Sequence, residues 1–179
     1  MGRKLILAEK PAVARDLARV LGVPQSGGGG AFESNDWVIT WCIGHLIELE
    51  EPAAYRPEWQ RWSLDLLPML PQEFLLRPVK DTLKQWRVVR DHLRDRGFAA
   101  VINACDAGRE GELIFQLCYQ LAGSRLPVER LWISSLTRDA ILEGFRALRP
   151  ASDGGSSARR RSPHRDESAR VLAGRECRG

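Results

Sequence analysis

The first fifty residues alternate short apolar runs with segments whose apolar positions recur at helical spacing. Residues 5–8 form an apolar run with charge on both sides, which predicts a short buried strand. Pro11 suits the first turn of a following helix, and Gly22 stands where that helix should end. Residues 31–34 and 37–42 then predict a hairpin. The opening is therefore strand, helix and hairpin.

The second half continues the alternation. Asp81 is expected to cap a helix that ends at Gly97. Residues 99–105 are a small-apolar run broken only by Asn103, which is typical of a strand covered on both faces. The other predicted elements are a strand at 74–78, a helix at 111–122, a strand at 128–133 and a last helix capped by Thr137. This order predicts an α/β domain with a largely parallel sheet and helices on both faces.

The apolar pattern stops after Pro150. Residues 151–179 are rich in Gly, Ser and Arg, and we expect this tail to be disordered because it cannot bury enough surface to offset its ordering entropy. The folded domain is therefore predicted over residues 1–150. The tail's seven Arg and four acidic residues give +3 of the chain's net +4, which leaves +1 for the domain. Basicity alone is thus weak evidence for nucleic-acid binding; the tail either adds phosphate contacts or is merely solvated.

Several function classes have little support in the composition. No apolar stretch approaches the ~20 residues that span a bilayer, and the N-terminus does not resemble a secretory signal, so we expect a cytoplasmic protein. The four cysteines lack C-x-x-C spacing, which favours buried reduced thiols at Cys42 and Cys105 over a zinc site. The glycines at 27–30 lack the ending of a phosphate loop, so no nucleotide cofactor is predicted.

Carboxylates follow two of the predicted strands. Glu9 comes directly after the first strand, Asp106 directly after the most buried one, and Glu110 four residues later. Ligands of open α/β sheets collect at this edge, and clustered carboxylates favour a neutralising cation. The sequence therefore predicts that Glu9, Asp106 and Glu110 hold one Mg²⁺ against a phosphodiester. Lys10 and Arg109 would counter charge that develops on the phosphate.

Two interpretations of these acids stay open. Glu9 is either a metal ligand or the general acid that protonates a leaving sugar hydroxyl. Glu110 and Glu112, taken alone, suit a helix first turn simply because negative charge complements the helix dipole. The sequence does not choose between Mg²⁺ and Mn²⁺.

Three motifs together resemble a known family. They are Ala8-Glu9-Lys10-Pro11, Trp41-Cys42-Ile43-Gly44-His45-Leu46 and Asp106-Ala107-Gly108-Arg109-Glu110-Gly111-Glu112. In this order they resemble the Toprim domain at the N-terminus of type IA DNA topoisomerases, the topoisomerase III branch most of all, over residues 4–150. Members of that family cut one DNA strand through a tyrosyl-phosphate link, pass a strand and reseal.

The resemblance implies roles for individual residues. Glu9 takes the position of the family's catalytic glutamate, and Lys10 that of a phosphate-contacting lysine. Asp106 and Glu110 match the first and last acids of an Asp-x-Asp-x-Glu pattern, in which Gly108 replaces the middle Asp.

The expected partner is single-stranded or negatively supercoiled DNA. Arg61 and Trp62 resemble a topoisomerase III stretch that contacts DNA, although a Trp packed in the core is the commoner case. With Lys10 and Arg109 they make up the expected DNA contacts.

No nucleophile is predicted in this chain. The family's tyrosine lies in a later domain, and neither Tyr55, in an irregular segment, nor Tyr119, in mid-helix, has its context. We hypothesise a truncated or frameshifted product whose last native residues lie near 150–153, inactive alone in strand passage. Reading the encoding DNA in the other two frames tests this, and the absence of a topoisomerase-like continuation there would contradict it.

Two other functions fit the same residues. One is a stand-alone Toprim nuclease or primase-like enzyme that uses metal without a tyrosine. The other is a noncatalytic nucleic-acid-binding module with a basic tail.

Overall fold

The computed structural model describes residues 2–26 and 29–150, and the tail predicted at 151–179 lies outside them. Within the described residues the strands are β1 (Lys4–Ala8), β2 (Ala31–Glu33), β3 (Trp37–Trp41), β4 (Ile47–Leu49), β5 (Leu76–Pro78), β6 (Val101–Ala104), β7 (Val128–Arg130) and β8 (Arg149–Pro150). The helices are α1 (Pro11–Leu21), α2 (Pro52–Tyr55), α3 (Leu83–Arg94), α4 (Arg109–Ala122) and α5 (Arg138–Arg146). None of these helices has the length and apolar character needed to cross a bilayer.

Six strands form one sheet in the order β2-β3-β1-β6-β7-β8. The four inner strands run parallel, and the two outer strands, β2 and β8, pair antiparallel with their neighbours. A separate antiparallel ribbon joins β4 to β5. The prediction of a largely parallel sheet is confirmed, as is the hairpin of β2 and β3.

Helices cover both faces of this sheet, and for this reason residues 5–8 of β1 are all apolar. Leu5 and Leu7 contact a core layer formed with α3 and α4, whereas Ile6 lies in the opposite layer with α1 and α5. All three side chains are fully buried. The last four positions of β1, residues 5–8, therefore all contribute apolar burial, at about 25 cal/mol per Å².

Some element boundaries differ from the prediction. Asp81 does not cap α3: it lies within a 3-10 turn (Lys80–Thr82), and Thr82 occupies the cap position instead. Helix α4 starts at Arg109, two residues before the predicted start, so that more of the acidic motif is helical. Strand β4 was not predicted, because three residues are too few to show a period.

The thiols of Cys42 and Cys105 are buried and reduced, as predicted. The Sγ atoms of Cys42 and Cys118 lie 3.9 Å apart, and this contact together with burial raises the pKa of Cys42. Burial likewise raises the pKa of Cys105. These cysteines are packing residues of the α3/α4 core layer, as the sequence suggested.

Phe115 is the largest of the fully buried side chains, and it offers a test of the packing. We expect Phe115→Ala to lower the free energy of unfolding by about 3–5 kcal/mol, because it leaves a cavity between α4 and the sheet. Urea denaturation measures this. Leu113→Ala is the matched control, since Leu113 lies on the same helix but is 49% exposed, and it should cost under ~1 kcal/mol. Equal losses would contradict the assignment of Phe115 to the core.

Candidate metal and nucleic-acid site

The candidate site lies where the carboxyl ends of β1 and β6 meet. These strands pair in parallel, with Ala8 opposite Ala104, so the residues that follow each strand emerge side by side. Glu9 follows β1 directly, and Asp106 lies two residues beyond β6. Residues separated by 97 positions in sequence are thereby brought into contact, at the edge where open α/β sheets bind their ligands.

Glu9 is the buried member of the site, with 6% of its surface exposed. Its Oε2 accepts a hydrogen bond from the backbone N–H of Asp106 at 3.1 Å. Its Oε1 pairs with the Nζ of Lys10 at 3.1 Å. Both carboxylate oxygens are therefore engaged, as a buried acid requires.

Lys10 lies among the acids that the sequence singled out. Its pKa is raised, first by the hydrogen bond to Glu9, next by the charge of that carboxylate, and further by the charges of Asp106 and Glu110. The ammonium group is largely exposed, so it both offsets the local negative charge and remains accessible to a ligand.

Gly111 lets the first turn of α4 approach Glu9 closely. A Cβ added at this glycine would lie 2.7 Å from the backbone nitrogen of Asp106, 2.9 Å from Glu9 Oε2, and closer still to the carbonyl oxygen of Asp106. Any other residue would push α4 away from the carboxylate. Glycine thus places the positive end of the helix dipole beside Glu9.

The His45 segment reaches the same edge from a third part of the chain. Gly44 turns the chain with φ +83°, a conformation that side chains with a Cβ rarely adopt. His45 Nε2 then lies 3.7 Å from Glu110 Oε1. All three motifs singled out in the sequence therefore converge at one place.

A set of polar contacts positions the Asp106 segment, and sequence reasoning missed most of it. Arg130 donates to the carbonyl oxygen of Asp106 at 2.8 Å and to that of Asn103 at 3.3 Å. The amide of Asn103 donates to Glu112 at 3.0 Å and accepts from the backbone N–H of Cys105 at 3.1 Å. The only signal in the sequence was Asn103, a polar residue inside an apolar strand.

The next question is whether the carboxylates of the site could hold a metal ion. Among the described residues, no three His, Cys, Asp or Glu side chains are arranged to hold an ion. Asp106 and Glu110 are exposed at the rim, while Glu9 is buried against Lys10. Mg²⁺ prefers one or two carboxylates together with waters and phosphate oxygens, so the donor set of Asp106 and Glu110 suits that ion.

Arg109, Arg61 and Trp62 are all exposed. Arg109 is the first residue of α4, beside the acids. Arg61 and Trp62 lie in the irregular segment between α2 and β5, and within the described part of the chain neither is hydrogen bonded to the acidic residues. The interpretation of Trp62 as a core residue is wrong, because 76% of it is exposed; Trp59, at 7%, fills that role.

The Toprim domain model matches residues 4–136 of the chain. The chain belongs to the Toprim domain family. It is 46% identical over 149 residues to a DNA topoisomerase 3 of Shouchella clausii, covering 83% of this chain and 20% of that relative. It is 42% identical over 153 residues to the DNA topoisomerase 3 of Bacillus subtilis, covering 86% of this chain and 21% of that relative.

A solved structure supports the same fold. The chain is similar to full-length topoisomerase I from Thermotoga maritima with a TM-score of 0.50 and 21% identity, covering 82% of this chain and 21% of that one. The Toprim chain thus spans about a fifth of the length of the relatives it matches.

Gly111 provides a test of how the site is built. We expect Gly111→Ala to lower the free energy of unfolding by about 1–2 kcal/mol. The higher helix propensity of alanine adds up to ~1 kcal/mol of stability, but the clash of its Cβ with Asp106 and Glu9 costs more than that. Thermal or urea denaturation measures the change. Gly108→Ser is the control, since no atom lies within 4 Å of an added Cβ there and serine is a good cap. Stabilisation by Gly111→Ala would contradict the close approach.

Proposed function

We propose that this Toprim domain supplies the Mg²⁺ and DNA site of a type IA DNA topoisomerase of the topoisomerase III kind. The reaction is cleavage and rejoining of one strand of single-stranded or negatively supercoiled DNA, which changes DNA topology. The observation that carries the proposal is the contact between Glu9 and Asp106 in a chain that is 46% identical to a DNA topoisomerase 3.

Glu9 is best suited to moving a proton. It is buried at the strand edge, and its oxygens engage Lys10 and the Asp106 amide. When a strand is cut, the oxygen of the attacking tyrosine releases its proton to solvent and bonds to phosphorus, the bond between phosphorus and the leaving sugar oxygen breaks, and that oxygen takes up a proton. Glu9, in its protonated form, supplies that proton and recovers it on rejoining, while Lys10 and Arg109 face the phosphate oxygens.

Asp106 and Glu110 are the proposed metal ligands, and the alternative role of Glu9 is that of a third ligand. Their carboxylates are exposed beside the phosphate position and leave room for waters and substrate oxygens. Bound Mg²⁺ would neutralise phosphate charge and orient the scissile group.

The attacking tyrosine is proposed to lie outside this chain. Both tyrosine hydroxyls within it already have structural partners. Tyr55 accepts a hydrogen bond from the backbone N–H of Leu75 at 2.9 Å, and Tyr119 donates to the carbonyl oxygen of Leu126 at 2.8 Å. A tyrosine from another domain or chain is needed for strand passage.

The remaining parts of the proposal follow from the site. Arg61 and the exposed ring of Trp62 would contact DNA away from the acids. The domain is proposed to occupy residues 1–150, because β8 still pairs with β7 in the sheet, and 151–179 is proposed as the basic tail. No nucleotide cofactor is proposed, and the proposed location is the cytoplasm.

A chimera tests the function directly. Residues 4–150 of this chain replace the matching segment of Bacillus subtilis DNA topoisomerase 3, and relaxation of negatively supercoiled plasmid is followed with Mg²⁺. We expect relaxation that requires Mg²⁺, and a loss of about 10²–10⁴-fold with Glu9→Gln, which removes the transferable proton. Glu143→Gln, on the exposed side of α5, is the control and should relax plasmid like the parent chimera.

The isolated chain separates the other functions. We expect it neither to relax nor to nick plasmid. Mg²⁺-dependent nicking that Glu9→Gln abolishes would instead indicate a stand-alone nuclease. Salt-sensitive DNA binding unaffected by loss of Glu9 and Asp106, combined with an inactive chimera, would indicate a noncatalytic binding module.

Gly108, which stands in place of the family's middle Asp, provides a test of the metal site. Space is open around it, so Gly108→Asp adds a third rim carboxylate without a clash. We expect Mg²⁺ to bind about tenfold more tightly, because affinity follows ligand charge. Titration calorimetry measures the change, and Gly108→Asn, equal in shape but uncharged, is the control. Unchanged affinity with Gly108→Asp would place the metal elsewhere.

A further inference from the structure

A cleft opens beside the acidic cluster, at the end of β3. Its volume is about 600 Å³. The walls come from α1, from the hairpin of β2 and β3, and from the start of α3. The lining residues that matter here are Arg15, Phe32, Trp41, Ile43, Asp81 and Lys84.

The cleft shares its edge of the sheet with Glu9. Strand β3 pairs in parallel with β1, so that Trp41 lies opposite Ala8, and the next residue, Cys42, donates its N–H to the Ala8 carbonyl at 2.8 Å. Paired strands lie about 4.8 Å apart. A ligand strand at Glu9 can therefore continue directly into the cleft.

Aromatic and apolar side chains form the floor of the cleft. The rings of Trp41 and Phe32 lie 4.8 Å apart at 44°, with Phe32 buried beneath and Trp41 partly exposed. Ile43, 46% exposed, extends this surface. A partly exposed indole ring backed by a second ring is a platform on which a base of any sequence can stack.

Cations stand on the opposing walls. Arg15 belongs to α1 and Lys84 to α3, and both are exposed. Neither forms an ion pair with another described residue, and the one acid of the lining is Asp81. Because the neighbouring carboxylates repel phosphate, a DNA strand that reaches Glu9 needs positive charge close by, and these two side chains provide it.

Gln85 fixes the shape of the cleft. Its amide donates to the carbonyl oxygens of Gly30 at 3.0 Å and of Trp41 at 2.7 Å. These bonds tie α3 to the end of β3 and to the residue that precedes β2. The walls that carry Lys84 and Trp41 are thereby held in register with each other.

We propose that this cleft binds one nucleotide of the single-stranded DNA whose scissile phosphate lies at Glu9. Its base stacks on Trp41, and its flanking phosphates contact Arg15 and Lys84. The proposal rests on the proposed function, which supplies the DNA. It adds a contact that holds the strand beside the cleavage position and tolerates any base there.

The test measures binding of a fluorescent oligothymidine of about 12 nucleotides to the whole chain. Arg15→Glu with Lys84→Glu should weaken binding roughly tenfold or more, and should reduce the slope of log affinity against log salt by about 1.4, at ~0.7 per phosphate contact. Arg87→Glu with Arg125→Glu is the control, because it changes the net charge equally at exposed positions outside the cleft. Equal losses from both pairs would overturn the proposal.

Photocrosslinking of an oligonucleotide with 5-iododeoxyuridine locates the base without any substitution in the protein. We expect the crosslinked peptide to contain Trp41. Crosslinks only to peptides outside the cleft would overturn the proposal. Competition by free deoxythymidine monophosphate at the same concentration as the oligonucleotide would do so too, since it would mark a site for free nucleotides.

The two proposals fail in distinguishable ways. If the chimera relaxes plasmid while the Arg15 and Lys84 variants bind the oligonucleotide like the parent, the cleft proposal is wrong and the function stands. If the parent chain does not bind the oligonucleotide and the chimera is inactive, the DNA function is wrong and the cleft proposal falls with it.

Discussion

The parallel pairing of β1 with β6 is the constraint on which the site depends. It sets the ends of two strands side by side and allows the Asp106 amide to donate to Glu9. A buried carboxylate is costly unless its oxygens are satisfied, and here the partner amide belongs to the loop that carries the second acid. The register of the β1–β6 pairing therefore determines both the position of the acidic loop and the burial of Glu9.

The charges around this contact are balanced locally. Lys10 engages Glu9 from one side, while Arg130 reaches the Asp106 segment from β7 and contacts its carbonyl oxygen. Gly111 allows α4 to close over the carboxylate with no side chain between them. The carboxylate of Glu9 is thereby satisfied within the protein, whereas those of Asp106 and Glu110 stay exposed at the rim.

In the proposed function, the same edge of the sheet presents two kinds of surface to a DNA strand. Around Glu9 it is acidic and suited to metal and proton transfer. One strand away, at Trp41, it is aromatic with cations on the walls. Binding of a phosphodiester backbone requires both surfaces, because an acidic site without neighbouring positive charge repels the phosphates. In the proposed function, this nearly neutral domain binds DNA through the positions of its charges rather than through their sum.

Local sequence determined most of the elements and the identity of the acids. Apolar runs, Gly22 and Thr137 located strands and helix ends correctly, because these signals act over a few residues. The three motifs pointed to the Toprim family, since each keeps its residues at fixed spacing. The sequence failed at β4, which has three residues and pairs with the distant β5, and at the start of α3, where a 3-10 turn precedes the helix.

Only the tertiary structure decided what the candidate residues touch. In the folded protein Glu9 is buried, Lys10 lies among the acids, and Arg130 contacts the Asp106 segment. Trp62 is exposed, whereas Trp59 is buried. The tertiary structure also formed the cleft at Trp41 from three separate segments. The physical reason is that hydrophobic period and turn chemistry are local, whereas burial, ion pairing and cavities arise from strand register and helix packing between residues far apart in sequence.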